Sequence, residues 1–248
     1  RAAIERVVEP TEAKFSCFCF KIQANLDKMH HDRMAFVRIT SGEYTRGMKL
    51  KHVRTGKNMS VNNATTFLAS DRVVTQQAYA GDIIGIHNHG GIRIGDTFTE
   101  GEALKFTGIP AFAPELFRRA LLLDPLKSKA LLKGLQELSE EGAAQLFRPL
   151  EGSDYIIGAL GILQFDVITS RLESEYRVRA RFESVPLASA RWITCEDDEE
   201  LERFIKENRR RIHTDIAGNY AFIAQSEWAV GYAAEQYPRV AFHKSVEI

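Results

Sequence analysis

Cysteine is scarce: there are three in 248 residues, two of them as Cys17-x-Cys19. So few thiols make a poor disulfide framework and suit a reducing, cytoplasmic setting. Long apolar runs are missing too. Hydrophobic residues reach 44% of the chain, yet no uninterrupted run approaches the roughly 18 residues of a membrane-spanning helix. Neither a secretory leader nor a lipidation motif is read in the sequence. Net charge is absent as well, with 33 Lys+Arg against 33 Asp+Glu, which removes overall attraction to nucleic acid but not a local basic face. What is present, 27% charged and 10% aromatic residues, belongs to a folded chain that can bury a core in one large or two ordinary domains.

Catalytic signatures are also lacking. The sequence has no H-E-x-x-H, no G-x-S-x-G and no C-x-x-C. Gly42-Glu-Tyr-Thr-Arg-Gly47 has the glycine spacing of a phosphate loop, but Met48 occupies the position of the phosphate-reaching lysine and Lys49 that of the Mg²⁺-binding hydroxyl. It joins two predicted strands, so no helix N-terminus is there to hold an anion. Asp82-Ile-Ile-Gly85 and Asp215-Ile-Ala-Gly218 fit D-x-x-G, a pattern short enough to arise by chance, and no guanine-selecting Asn-Lys-x-Asp accompanies them. Cys17 and Cys19, His30 and His31, and His87 and His89 have spacings that could ligate zinc. A Cys-x-Cys inside a phenylalanine-rich strand reads more simply as two small packed residues. No catalytic, cofactor-binding or metal-binding residue is therefore assigned.

The chain changes texture near residue 100. Residues 1–100 carry 14 Lys+Arg and 10 Asp+Glu, a balance of +4, and the remainder carries 19 and 23, a balance of −4. The first part has period-2 apolar runs at 14–26, 34–40, 48–54, 73–79 and 82–86, separated by glycine turns, as in a small closed β-barrel. In the second part, strands are predicted at 115–123, 144–148, 155–159 and 178–183. Helices are predicted after Asp124-Pro125 and around Phe165, Ile168, Leu172 and Tyr176. That order is the ferredoxin-like split βαβ arrangement. A further alternation follows, with strands at 191–195, 220–224 and 239–243 and helices at 197–210 and 227–236. The expected division is 1–105 for the barrel and 106–248 for an α+β domain, split into 110–184 and 185–248.

Basic residues gather in three places. Between residues 44 and 70 there is no acidic residue, while Arg46, Lys49, Lys51, Arg54 and Lys57 occur. Lys49 and Lys51 would share one strand face and could meet RNA phosphates, whose binding grows with each neutralised charge. Arg118-Arg119 and Arg209-Arg210-Arg211 are the other clusters. The last is predicted to end a helix, where cations are favourable even without a partner.

Several runs carry a resemblance. Asp32-Arg-Met-Ala-Phe-Val-Arg38-Ile-Thr-Ser-Gly42, Gly47-Met-Lys-Leu, Ala80-Gly-Asp-Ile-Ile-Gly-Ile86 and Ile94-Gly-Asp-Thr-Phe98 resemble the second-domain barrel of translational GTPases. Phe106-Thr-Gly-Ile-Pro110, Ala113-Pro-Glu-Leu-Phe-Arg-Arg119, Asp124-Pro-Leu-Lys, Leu131-Leu-Lys-Gly-Leu135, Leu138-Ser-Glu-Glu-Gly142 and Gly161-Ile-Leu-Gln-Phe-Asp-Val167 are similar to bacterial peptide chain release factor 3. Ala190-Arg-Trp192 and Tyr237-Pro with Phe242-His243 extend the match to the C-terminal part. The resemblance implies a translation-factor β-barrel followed by an α+β domain, a fragment made of a GTPase's second and third domains. GTP or GDP and Mg²⁺ would belong to a preceding nucleotide-binding domain, so this chain is not expected to be an enzyme. The implied partners are the ribosome, the decoding release factors and that missing domain, with no membrane and no DNA. The alternatives are the corresponding fragment of an elongation factor or ribosome-protection GTPase, or a metal- or small-ligand-binding enzyme.

Overall fold

The computed structural model describes residues 5–24, 33–68, 71–88, 91–152 and 154–247. It forms two compact units that part between Ile109 and Pro110. Among the described residues no helix is long and apolar enough to cross a membrane.

The first unit is built from short strands: β1 (Ser16–Ala24), β2 (Arg33–Ser41), β3 (Glu43–Thr45), β4 (Lys49–His52), β5 (Asn58–Ser60), β6 (Thr65–Leu68), β7 (Asp71–Val74), β8 (Gln77–Tyr79), β9 (Ile83–His87) and β10 (Thr97–Thr99). Eight of them pair in the order β5-β4-β10-β1-β2-β9-β6-β7, and β3 pairs with β8. The expected closure is therefore not one continuous ladder. Among the described residues β3 and β8 form a separate two-stranded pair, and single bonds extend the ends of the ladder. The Gly47 N–H donates to the Val61 carbonyl and the Thr75 N–H to the Ala64 carbonyl.

Strand β1 also differs from a plain alternation through Phe18, Phe20, Ile22 and Ala24, the apolar positions of the run at 14–26. Its register against β2 shifts between Cys19 and Lys21. One extra residue flips the side-chain phase. Cys17 and Cys19 therefore face the core ahead of the bulge and Ile22 behind it, while Phe18 and Phe20 are only half-buried. Around them pack Val37, Ile39, Tyr44, Leu50, Ile84 and Phe98. The run predicted as one strand at 73–79 is broken after Val74, where the Thr75 hydroxyl donates to the Gln77 carbonyl.

The second unit opens on β11 (Pro110–Phe112) and β12 (Leu116–Leu122). Asp124 caps the next turn by accepting from the Leu126 N–H, but Pro125–Lys127 is a 3₁₀ turn and the α-helix α1 (Ser128–Glu140) starts behind it. Then come β13 (Gln145–Pro149), β14 (Ile156–Ala159), α2 (Leu163–Tyr176) and β15 (Ala180–Ser184). These strands lie in the order β15-β12-β14-β13, the split βαβ arrangement expected from the sequence. Helices α1 and α2 approach closely at Gly134, where an added Cβ would sit 2.6 Å from Leu172 Cδ2.

The remainder repeats this plan: β16 (Ser189–Thr194), α3 (Asp198–Glu207), β17 (Ile212–Thr214), β18 (Tyr220–Ala224), α4 (Glu227–Gln236) and β19 (Ala241–His243), with β20 (Ser245–Glu247) pairing back onto β11. Its strand order, β17-β18-β16-β19, mirrors that of the first half. The two halves join through β13 and β17, with Arg148 opposite Thr214 and Pro149 opposite His213. A continuous eight-stranded sheet results. Its helical face holds two cores, one with Leu135, Phe165 and Leu172, the other with Phe204, Phe222 and Val230. Phe117, Phe147, Trp192 and Ile223 fill the opposite face, beneath the β11–β20 ribbon.

His213, at this seam, is 6% exposed, and its Nδ1 lies 3.2 Å from the Arg211 carbonyl. Burial pushes its pKa below 6.5, with the Arg211 carbonyl opposing the shift. The unfolded chain then binds a proton more readily than the folded one, so stability is full above about pH 6.5 and falls as pH drops below it. Urea midpoints taken from pH 7.5 to 5 should decline, and His213→Asn should flatten that decline. An equal slope in the variant would assign the pH dependence elsewhere.

Candidate nucleic-acid interface

The basic hairpin of the first unit is β4, the turn that follows it, and β5. Strand alternation turns Leu50 and His52 inward, leaving Lys49 exposed and Lys51 half-exposed on the other face. Lys49 stands opposite Ser60 and Lys51 opposite Asn58. Lys57 is exposed at the end of the turn, where Gly56 adopts φ +69°. Among the described residues Lys49, Lys51 and Lys57 form no ion pair with a carboxylate.

The two arginines of this stretch are committed internally. The Arg54 guanidinium grips Asp96, with Nε 2.5 Å from Oδ1 and Nη2 2.8 Å from Oδ2, and also donates to the Gly91 carbonyl at 2.9 Å. Arg46 donates from Nε to the Asn62 carbonyl at 2.9 Å and from Nη2 to Asn63 Oδ1 at 3.4 Å. Asp96 itself is 4% exposed. Its Oδ2 accepts from the Arg93 N–H at 2.7 Å and lies 2.8 Å from His52 Nε2, at an angle that makes no hydrogen bond. Nothing in the local sequence singled out Asp96, since its partner Arg54 lies 42 residues away.

In the second unit the basic clusters are mostly spent on structure. The Arg118 guanidinium lies 4.7 Å from the centre of the Phe165 ring. Arg119 bridges Asp154 at 3.1 Å and Glu183 at 3.2 Å. Arg209 pairs with Glu151 at 3.1 Å, and Arg211 sits 5.9 Å from the Phe222 ring. Arg210 is exposed, with no ion pair among the described residues. The predicted helix at 197–210 stops earlier. Helix α3 ends at Glu207 with Asn208 as its C-cap, so the three arginines occupy the turn before β17 and Lys206 alone supplies the basic last turn. The helix-dipole argument for them falls with that boundary. Of the basic residues expected to meet RNA, Lys49, Lys51, Lys57 and Arg210 have side chains with neither an ion pair, a hydrogen bond nor a ring contact among the described residues.

The metal reading finds no support in the geometry. Cys17 and Cys19 are both 0% exposed, and burial pushes the Cys19 thiol up to about 12 and the Cys17 thiol higher, against thiolate formation. His87 is exposed at the end of β9. His30, His31 and His89 lie outside the described residues. Among the described residues no three His, Cys, Asp or Glu side chains gather as a metal ion would need.

Comparison with known proteins gives two adjacent family matches. Residues 14–101 match the family model for elongation factor G domain 2. Residues 106–234 match that for class II release factor RF3, C-terminal domain. A crystal structure of a protein from Thermus thermophilus shares the fold over 82% of this chain, at 18% identity and a TM-score of 0.58. The chain spans 31% of the length of that protein. A release-factor match covering more than half of the residues, behind an elongation-factor barrel, places this chain in the class II release factor RF3 family, as domains of a translational GTPase.

Proposed function

We propose that this chain is the non-catalytic, ribosome-contacting arm of a GTPase that promotes exit of the decoding release factors after termination. The release-factor match across 106–234 carries the reading. The three lysines left free on the β4–β5 hairpin support a contact with ribosomal RNA, because each neutralised phosphate releases counterions. GTP and Mg²⁺ would be held by the nucleotide-binding domain of the whole protein, and the residues described above would bind and orient. The γ-phosphate would bias which arrangement of domains is populated, and ribosome contacts that differ between arrangements would couple hydrolysis to factor exit.

The test uses the full-length factor with Lys49, Lys51 and Lys57 each changed to Glu. Ribosome affinity should fall at least tenfold near 0.1 M salt. The slope of log affinity against log salt should shrink by about 0.7 to 0.9 for each phosphate no longer neutralised. Unchanged affinity and slope would remove the hairpin from the interface. A separate assay follows dissociation of a decoding release factor from terminated ribosomes. Acceleration by the wild-type factor supports the termination role, whereas acceleration of translocation alone would point to the elongation-factor alternative.

A further inference from the structure

Helices α3 and α4 cover one face of the same half-sheet and differ in charge from the hairpin described above. Together they hold seven acidic residues against two basic ones, and α4 has no cation at all. The basic groups beside them are mostly neutralised. Arg191 pairs with Glu227 at 2.6 Å, Arg203 with Glu200 at 2.9 Å, and Arg239 with Asp197 at 3.0 Å. Lys206 on α3 and Lys244, close enough to act on the Glu227 carboxylate, form no ion pair among the described residues. Among the described residues Asp198, Glu199, Glu202 and Glu235 form no ion pair.

On α4 the residues spaced for one outward stripe are Trp228, Gly231, Tyr232 and Glu235, opposite buried Val230 and Ala233. Trp228 is 75% exposed and Tyr232 51% exposed, and their rings stack at 5.5 Å with 17° between planes. Such a pair held in water is a ready contact surface, since aromatic rings dominate interface energetics and bind cations on their faces.

We infer that the outward face of α4 docks a basic polypeptide segment, with an arginine guanidinium lying on the Trp228–Tyr232 stack and pairing with Glu235 of the same stripe. Arginine fits better than lysine because its planar fork both stacks on a ring and meets a carboxylate through two hydrogen bonds. A nucleic acid has the aromatic surface in its favour but would bring phosphates to helices whose acidic residues outnumber the basic ones seven to two.

The probe is a fluorescein-labelled peptide of Arg-Gly-Gly repeats, titrated into the 248-residue chain and followed by anisotropy and tryptophan emission. Trp192 is 4% exposed, so a quench of emission reports Trp228. Binding should weaken about fivefold or more in Trp228→Ala, the order expected for removing one cation–π interaction, and Trp228→Phe should recover part of it. Glu235→Lys should weaken it further, and a Lys-Gly-Gly peptide of equal charge should bind several-fold less well. Because these side chains are exposed, thermal melts of the variants should overlay the wild type. Binding of the arginine peptide that is indifferent to Trp228→Ala, or no binding at about 1 mM, would overturn the inference. Tighter binding and stronger quenching by oligo(U) would overturn it in favour of a nucleic-acid face.

Discussion

Phe204→Ala should cost the unit at Pro110–Glu247 about 3 to 5 kcal/mol of stability, the range for deleting a fully buried phenylalanine from a core that relaxes only in part. Phe204 is 0% exposed. Its ring centre lies 5.7 Å from Phe222, 4.8 Å from Tyr237 and 5.6 Å from Phe242, the last two edge-on. Edge-to-face pairs contribute beyond the area they bury, so removing this one ring dissolves three aromatic pairings together. These partners come from β18, β19 and the residue after α4, which makes Phe204 the point where α3 is fastened to its half-sheet. The measurement is urea unfolding by tryptophan fluorescence. The sequence has two tryptophans, Trp192 and Trp228, and both belong to this unit. A slope of about 2 kcal/mol per molar urea turns the loss into a midpoint shift of roughly 2 M. Leu126→Ala is the control, because that side chain is 95% exposed and should move the midpoint hardly at all. A Phe204→Ala shift no larger than the control's would mean that the aromatic cluster is not closed in solution.

The first split βαβ unit was legible in the sequence because each element is long enough to show its period. Helix α2 puts Phe165, Ile168 and Leu172 on one buried stripe, and β12 runs for seven residues. Its mirror image went unread for want of one strand. Strand β17 has three residues and follows directly on the Arg209–Arg211 turn, too short for a period-2 pattern to appear. The same limit hid β3 and β5, each of three residues. In β1 the alternation was real but its phase was not, because a bulge between Cys19 and Lys21 is a matter of pairing with β2 and leaves no mark in composition. The basic residues were legible only in part. Residue type and clustering were visible, but whether a cation is free depends on distant partners: Arg119 finds its acids 35 and 64 residues along the chain. Lys49, Lys51 and Lys57 kept their freedom because no acidic residue lies near them in sequence and none folds against them among the described residues.

Asp96→Ala is expected to damage the first unit as well, by about 1.5 to 3 kcal/mol, the range for losing hydrogen bonds to a buried charged group. The carboxylate does several things at once. It holds Arg54 through two contacts, accepts from the Arg93 N–H, and sits against the His52 ring nitrogen. Of these, Arg54 can turn to water when Asp96 is gone, since its side chain is already 40% exposed. His52 cannot, because its side chain is 8% exposed and its ring lies 4.9 Å from Phe98. The cost therefore falls on the 93–96 turn, where the Arg93 N–H loses its acceptor, and on the packing around the His52 ring. Asp96→Asn keeps the shape and one acceptor for the Arg93 N–H but loses the charge that grips Arg54, so it should recover only part of the loss. The consequence reaches the proposed RNA contact, because Arg54 belongs to the turn joining β4 to β5 and anchors the hairpin that presents Lys49, Lys51 and Lys57. Hydrogen exchange on peptides covering 49–60 and 88–100 should show faster exchange in Asp96→Ala in both segments, with ribosome affinity of the full-length variant reduced although every lysine is intact. Faster exchange confined to 88–100, with affinity unchanged, would show that the hairpin holds its lysines in place without Asp96.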